Sequence, residues 1–172
     1  MKAGKTGRGQ PRLRKTGSDT QAVTDTGRFT IGVFQDAEWA RRGVNALLSD
    51  GFVAESLTIL AKETPGVVDL IETALRGRPD RVELKSIGLV VACGPLVRAL
   101  QGEDSGLTVS GLGSTIGRAG FQRHDGHIFE VLTGRGGVLV AVRNEPRAAD
   151  ALAKLHAYGG GNAAIGAWTG RV

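Results

Sequence analysis

The chain has 172 residues, of which 41% are hydrophobic and 23% charged, values typical of a globular protein with one domain. No apolar run is long enough for a transmembrane helix, and the basic N-terminus lacks the apolar segment of a secretory signal, so neither a membrane protein nor an exported one is expected. A single cysteine, Cys93, excludes an internal disulfide, and the sequence therefore predicts a cytoplasmic protein.

The net charge of +5 lies in the N-terminal segment. Residues 1–28 hold seven basic and two acidic residues, whereas residues 29–172 hold 15 of each. Residues 1–27 contain almost no large apolar side chain and no periodic pattern, which predicts a disordered basic arm ahead of one domain over 28–172. Such an arm can bind non-specific nucleic acid by releasing counterions, or it can serve only as a solubilising tail. The candidate polyanion-binding residues are Lys2, Lys5, Arg8, Arg12, Arg14 and Lys15.

The domain opens with a β-α-β pattern over residues 29–61. "RFTIGVFQ" is rich in β-forming residues and predicts a strand. "DAEWARRGVNALLSDG" predicts a helix capped by Asp36, and "FVAESLTILAK" predicts a second strand. The apolar stripe of the helix is Ala40, Val44, Leu47 and Leu48, and one face of the second strand holds Leu57, Ile59 and Ala61.

The middle of the chain mixes short helices, strands and glycines. "TPGVVDLIETALRG" predicts a short helix with Thr64 as cap and Pro65 in its first turn. "RVELKSIGLVVACGPLVRALQG" begins with strand-like alternation and predicts a helical turn after Pro95. Residues 82–91 are a candidate sheet edge without strong charges, which favours pairing with a second copy of the chain.

The C-terminal third repeats the opening pattern over residues 137–168. "GGVLVAVR" predicts a strand, "NEPRAADALAKLHAYGG" a helix capped by Asn144, and "NAAIGAW" a closing strand. The predicted helical stripe is Ala149, Leu152 and Leu155. Two β-α-β units indicate an α+β fold: a ferredoxin-like βαβ…βαβ sandwich with two helices on one face, a Gly-rich helical insertion in the middle and a disordered N-terminal arm.

The stretch "GFQRHDGHIFEVLTGRGG" holds the residues that most resemble a metal site, His124, His127 and Glu130. A zinc or iron site needs a more complete ligand set than this spacing offers, so no metal is predicted. The pattern instead favours a short helix that turns into a buried strand, with both histidines on the surface. In this interpretation Asp125 caps the helix, Gly134 ends it, and its buried face holds Ile128 and Leu132.

The remaining motifs do not complete a catalytic or cofactor site. "GLGSTIG" has the spacing G-x-G-x-x-x-G, one residue longer than the dinucleotide fingerprint, and lacks the lysine of a phosphate loop. Close packing of helices explains these glycines better. No serine or cysteine lies in a nucleophile elbow, and Cys93 is interpreted as a small buried apolar residue. The sequence therefore predicts no catalytic residues, no cofactor and no enzyme.

Three segments resemble the bacterial general stress protein (heat-induced stress protein) domain. They are "FTIGVFQDAEWARRGVNALLSDGFVAESLTILAKE", "ACGPLVRAL" and "HIFEVLTGRGGVLVAVR", and the resemblance covers most of residues 29–158. It implies a small cytosolic α+β domain associated with stress conditions, with no established catalytic residues. The basic arm and the polar "EDSGLTVSG" depart from the family pattern.

Three functional hypotheses follow. The leading one is a non-enzymatic stress-associated domain that acts through protein contacts as a homodimer. The alternative is a nucleic-acid-associated protein that binds through its basic arm. The third is a small-molecule sensor or enzyme that uses the Gly-rich middle.

Overall fold

The computed structural model describes residues 29–143 and 147–165; the predicted basic arm, the N-cap Asn144 and the end of the closing strand lie outside these ranges. Six strands form one antiparallel sheet in the order β3-β4-β2-β5-β1-β6. The strands are β1 Phe29–Phe34, β2 Leu57–Lys62, β3 Asp80–Leu84, β4 Gly88–Cys93, β5 Val138–Arg143 and β6 Gly161–Ile165. The α-helices in the described ranges are α1 Ala37–Ser49, α2 Pro65–Leu70, α3 Pro95–Gln101, α4 Gly106–Ser110, α5 Leu112–Thr115, α6 Arg123–Gly134 and α7 Ala148–Ala157. Helix α2 continues as a π-helical turn over Ile71–Leu75.

Two interlocked β-α-β units form one part of the sheet. Strands β1 and β2 are both antiparallel to β5, which lies between them, and α1 connects them. Strands β5 and β6 lie on either side of β1 in the same way, with α7 as their connection. Helices α1 and α7 contact each other over one face of the sheet. The two predicted β-α-β units are therefore confirmed within the described residues.

The insertion between β2 and β5 contributes both strands and helices. The β3–β4 hairpin extends the sheet beside β2, and α3 to α6 pack over the face opposite α1 and α7. The predicted helical insertion is confirmed, and it forms a complete second helical layer. The protein is an α+β domain with an antiparallel sheet between two layers of helices.

The central strands are apolar on both sides because both sheet faces are covered. Leu139 of β5 belongs to the core cluster under α3–α6, and its neighbour Val140 belongs to the cluster under α1, α2 and α7. Both side chains have no exposed surface. The sequence predicts that three residues share one face of β2, and all three belong to the cluster under α1, α2 and α7: Leu57, Ile59 and Ala61.

The predicted caps of the first two helices are confirmed. The carboxylate of Asp36 accepts a hydrogen bond from the amide of Trp39 at 2.9 Å, and the hydroxyl of Thr64 accepts one from the amide of Val67 at 3.2 Å. Each bond satisfies an amide that the first helical turn leaves without an intrahelical partner. Helix starts of this kind depend on local chemistry, so the sequence alone predicts them.

The predicted geometry of α6 is wrong in its details. Gln122 is the N-cap, and Asp125 lies three residues later, where its carboxylate accepts a hydrogen bond from the Gln122 amide at 3.3 Å. Because the helix starts earlier than predicted, a different face is buried. The fully buried positions are Gly126, Phe129 and Thr133, while Ile128 and Leu132 are half-buried.

The predicted C-terminal end of α6 is also displaced. Gly134 is the last helical residue rather than the cap, and the chain reverses at Gly136 with φ 102°. A left-handed backbone of this kind favours glycine, which explains the placement of Gly136.

The buried stripe of α7 also differs from the predicted one, because the helix starts at Ala148. It buries Ala151 and Leu155, while Ala149 is exposed and Leu152 is half-buried.

The sheet edge is not the one that the sequence predicts. Strand β4 is internal, and only β3 lies at this edge. Three of its five residues are charged, namely Asp80, Arg81 and Glu83. Arg81 also donates two hydrogen bonds to the carboxylate of Glu63, one of them at 2.9 Å. Charges on an edge strand discourage pairing with another sheet, so the prediction of an uncharged edge at 82–91 is wrong.

Candidate functional site

His124 and His127 line a surface cleft between α5 and α6 with a volume of about 600 Å³, here named the α5–α6 cleft. They face it because the opposite side of α6 holds Phe129 and Thr133, which are buried against the sheet. Both histidines are exposed, as the sequence predicts, but the cleft around them is not a feature that the sequence predicts. Its lining residues are Gly113, Ser114, Gln122, Arg123, His124, His127 and Glu130.

The segments that carry this cleft, α5 and α6, cross closely. A Cβ atom on Gly126 would lie 2.3 Å from Cγ2 of Ile116 and 2.9 Å from the carbonyl oxygen of Gly113. Real Cβ contacts are longer, so the two helices approach this closely only because position 126 is glycine. Close packing of the two helices is thus the role of Gly126, whereas a Cβ on Gly113 would meet the backbone of α6 only at 3.8 Å and a Cβ on Gly117 would have no atom within 4 Å.

Glu130 lies at one end of the cleft in a fixed position. Its Oε2 accepts a hydrogen bond from the Ser86 hydroxyl at 3.1 Å and a longer one from the Gly113 amide at 3.5 Å. A Cβ atom on Gly111 or Gly113 would lie 3.2 or 3.0 Å from the carboxylate oxygens, so the glycines also make room for this carboxylate. The sequence indicates Glu130 only as a third residue beside the histidines.

The other lining residues of the cleft present donors that the described part of the chain leaves free. Within that part, the side chains of Ser114, Arg123, His124 and His127 make no hydrogen bond or ion pair with another residue. The described ranges also contain no group of three His, Cys, Asp or Glu side chains placed to hold a metal ion. The cleft therefore combines free donors with one carboxylate, and Arg123 and Glu130 lie seven residues apart on α6.

A second exposed feature lies on the other helical layer, where α1 and α7 meet. Trp39 of α1 is 37% exposed and Tyr158, directly after α7, is 36% exposed. The guanidinium of Arg42 lies 4.8 Å from the centre of the Trp39 ring, and a Cβ on Gly159 would touch that ring at 3.4 Å. Trp39, Arg42 and Tyr158 are named the aromatic patch. The sequence holds a signal for it, since Trp39 lies outside the apolar stripe of its helix.

Cys93 packs as a structural residue. It is half-buried against the cluster under α1, α2 and α7, and a Cβ on Gly77 would lie 2.6 Å from its sulfur. Burial raises the pKa of the thiol, the charge of Asp80 raises it further, and Arg98 opposes them. A raised pKa leaves little thiolate near neutral pH, which agrees with the interpretation of Cys93 as a small packing residue.

Two arginines outside the cleft and the patch have structural roles. Arg147 donates to the backbone oxygen and the carboxylate of Asp50, both at 2.7 Å, and its guanidinium lies 4.4 Å from the ring centre of Phe52. Arg118 binds the carboxylate of Asp104 through two hydrogen bonds of 2.9 and 2.8 Å, which holds the exposed turn over residues 102–105. These pairs connect elements of the fold.

The six basic residues predicted to bind polyanions lie outside the described ranges. Within those ranges no helix has the length and apolar character that crossing a bilayer requires.

The chain matches no protein-family model, no curated protein and no solved structure.

Proposed function

We propose that this protein is a non-enzymatic, stress-associated domain of ferredoxin-like topology that acts through protein contacts as a homodimer. The strand order β2-β5-β1-β6, with α1 and α7 on one face, supports the ferredoxin-like assignment. The three segments that resemble the general stress protein domain support the association with stress.

The observation that carries the proposal is the aromatic patch. The chain contains only two tryptophans and one tyrosine, and two of these three residues lie exposed at the junction of α1 and α7 beside Arg42. Trp, Tyr and Arg are the residue types that most often dominate the binding energy of protein interfaces. An indole with an arginine already stacked on it offers a rigid contact surface at a low cost in conformational entropy.

The layered fold is compatible with a dimer contact at this patch. Helices cover both faces of the central strands, which closes this part of the sheet to a second copy. Strand β3 carries charges that discourage pairing at its edge of the sheet, whereas β6, at the other edge, carries no charge over Gly161–Ile165. A twofold contact between two α1–α7 layers would bury both copies of Trp39 and Tyr158 against each other.

Light scattering coupled to size-exclusion chromatography tests the proposal at micromolar concentrations. The full chain is expected to elute with the mass of two chains, and Trp39→Ala is expected to weaken the dimer about 30-fold, since hot-spot residues contribute about 2 kcal/mol or more. Val109→Ala is the matched control, because Val109 is 61% exposed and lies on α4 in the other helical layer. A monomer mass for the wild-type chain, or equal effects of the two substitutions, would contradict the proposal.

A further inference from the structure

We infer that the α5–α6 cleft is a binding site for a small phosphate monoester that also carries a hydroxyl group. This site is separate from the aromatic patch, because α5–α6 and α1–α7 lie on opposite faces of the sheet. A volume of about 600 Å³ is within the range of small-molecule pockets.

The donor end of the cleft selects the phosphate. Arg123 and His124 lie in the first turn of α6 at this end, and Ser114 and His127 also line the cleft; none of the four side chains has a partner among the described residues. Arginine binds oxyanions through two parallel hydrogen bonds, which leaves the hydroxyl and the imidazoles to further oxygens. A phosphate monoester has three terminal oxygens for these groups, whereas a carboxylate has two.

The acceptor end selects the hydroxyl. Glu130 follows His124 by six residues, which corresponds to about 9 Å along a helix axis at 1.5 Å per residue. Both of its hydrogen bonds within the described chain end on Oε2, so Oε1 can accept one from a ligand. A second anionic group would be repelled there, and inorganic phosphate is too small to reach both ends. The geometry therefore fits a molecule with a phosphate at one end and a hydroxyl several bonds away.

An NMR titration of the ¹⁵N-labelled full chain at constant ionic strength tests this inference with inorganic phosphate, glucose 6-phosphate and glucose as probes. Inorganic phosphate is expected to shift the amide signals of Ser114, Arg123 and His124 at millimolar concentrations. Glucose 6-phosphate is expected to bind about tenfold more tightly, because a hydrogen bond to a charged group contributes about that factor. It should also shift the Glu130 amide, and glucose alone should not bind.

Three variants make the test specific. Arg123→Ala is expected to weaken both phosphate probes about tenfold or more. Arg135→Ala removes the same charge from an exposed position just beyond the other end of α6 and should change neither affinity. Glu130→Ala should remove the preference for glucose 6-phosphate over inorganic phosphate.

The same spectra contain the results that would overturn the inference. Shifts confined to residues 1–28 would assign phosphate binding to the basic arm, and equal effects of Arg123→Ala and Arg135→Ala would reduce it to non-specific charge. Equal affinities for the two phosphate probes would refute the two-ended ligand. The dispersion of each spectrum shows whether the variant is folded.

Discussion

Replacing Gly126 with alanine tests whether the glycines of the middle segment serve close packing. Alanine is the better helix former by about 1 kcal/mol, so an unconstrained glycine within a helix gains stability from this change. At Gly126 the new methyl group would lie 2.3 Å from Cγ2 of Ile116 and 2.9 Å from the backbone oxygen of Gly113. Neither a β-branched side chain nor a helix backbone moves aside easily, and overpacking of this kind costs about 1–3 kcal/mol.

The expected net effect of Gly126→Ala is a loss of about 1–2 kcal/mol in the free energy of unfolding. For a chain of this size such a loss lowers the melting temperature by about 2–8 °C. Urea denaturation followed by circular dichroism measures the free energy, and the slope of the transition shows whether unfolding stays two-state. The matched control is Gly117→Ala, which should be neutral or stabilising by up to about 1 kcal/mol, since a Cβ there meets no atom within 4 Å.

A double-mutant cycle locates the cause of the loss. Ile116→Ala removes the Cγ2 atom that the new methyl group would strike, so the double variant should lose less stability than the sum of the two single variants. If Gly126→Ala proved as stable as Gly117→Ala, the close crossing of α5 and α6 would be refuted.

Four further predictions concern the core, the histidines, the cysteine and the arm. Leu139→Asp should unfold the domain by circular dichroism, because a buried carboxylate without a partner costs several kcal/mol; cooperative unfolding near the wild-type midpoint would contradict this. Replacing His124 and His127 with Asn should leave stability and metal content unchanged, whereas about one zinc or iron per chain by elemental analysis, lost in the double variant, would show a metal site. Cys93 should react with iodoacetamide at pH 8 several-fold more slowly than glutathione, since burial raises its pKa, and an equal rate would refute an inert thiol. If the arm binds duplex DNA, gel retardation should give a log–log salt slope of about −5, and a chain beginning at Gly27 should lose binding while keeping its melting temperature; retained binding would place the site on the domain.

The cleft and the aromatic patch differ in how far the sequence predicts them. The sequence places His124 and His127 on one surface of a helix, because spacing of three residues has that consequence in any helix. It contains no information on Ser86 or Gly113, which reach Glu130 from segments 44 and 17 residues away. The cleft therefore appears only when α5 and α6 cross.

The sequence by itself determines the elements whose causes are local. Asp36 and Thr64 cap their helices through hydrogen bonds to amides only three residues further along the chain. The two β-α-β patterns follow from hydrophobic periodicity. The tertiary structure alone decides the strand order, the second helical layer over the sheet and the charged edge at β3, because these depend on contacts between segments far apart in the chain. It also decides which glycines are needed: Gly126 and Gly117 both lie in helical segments, yet of the two only Gly126 lies where a neighbouring segment leaves no space for a side chain.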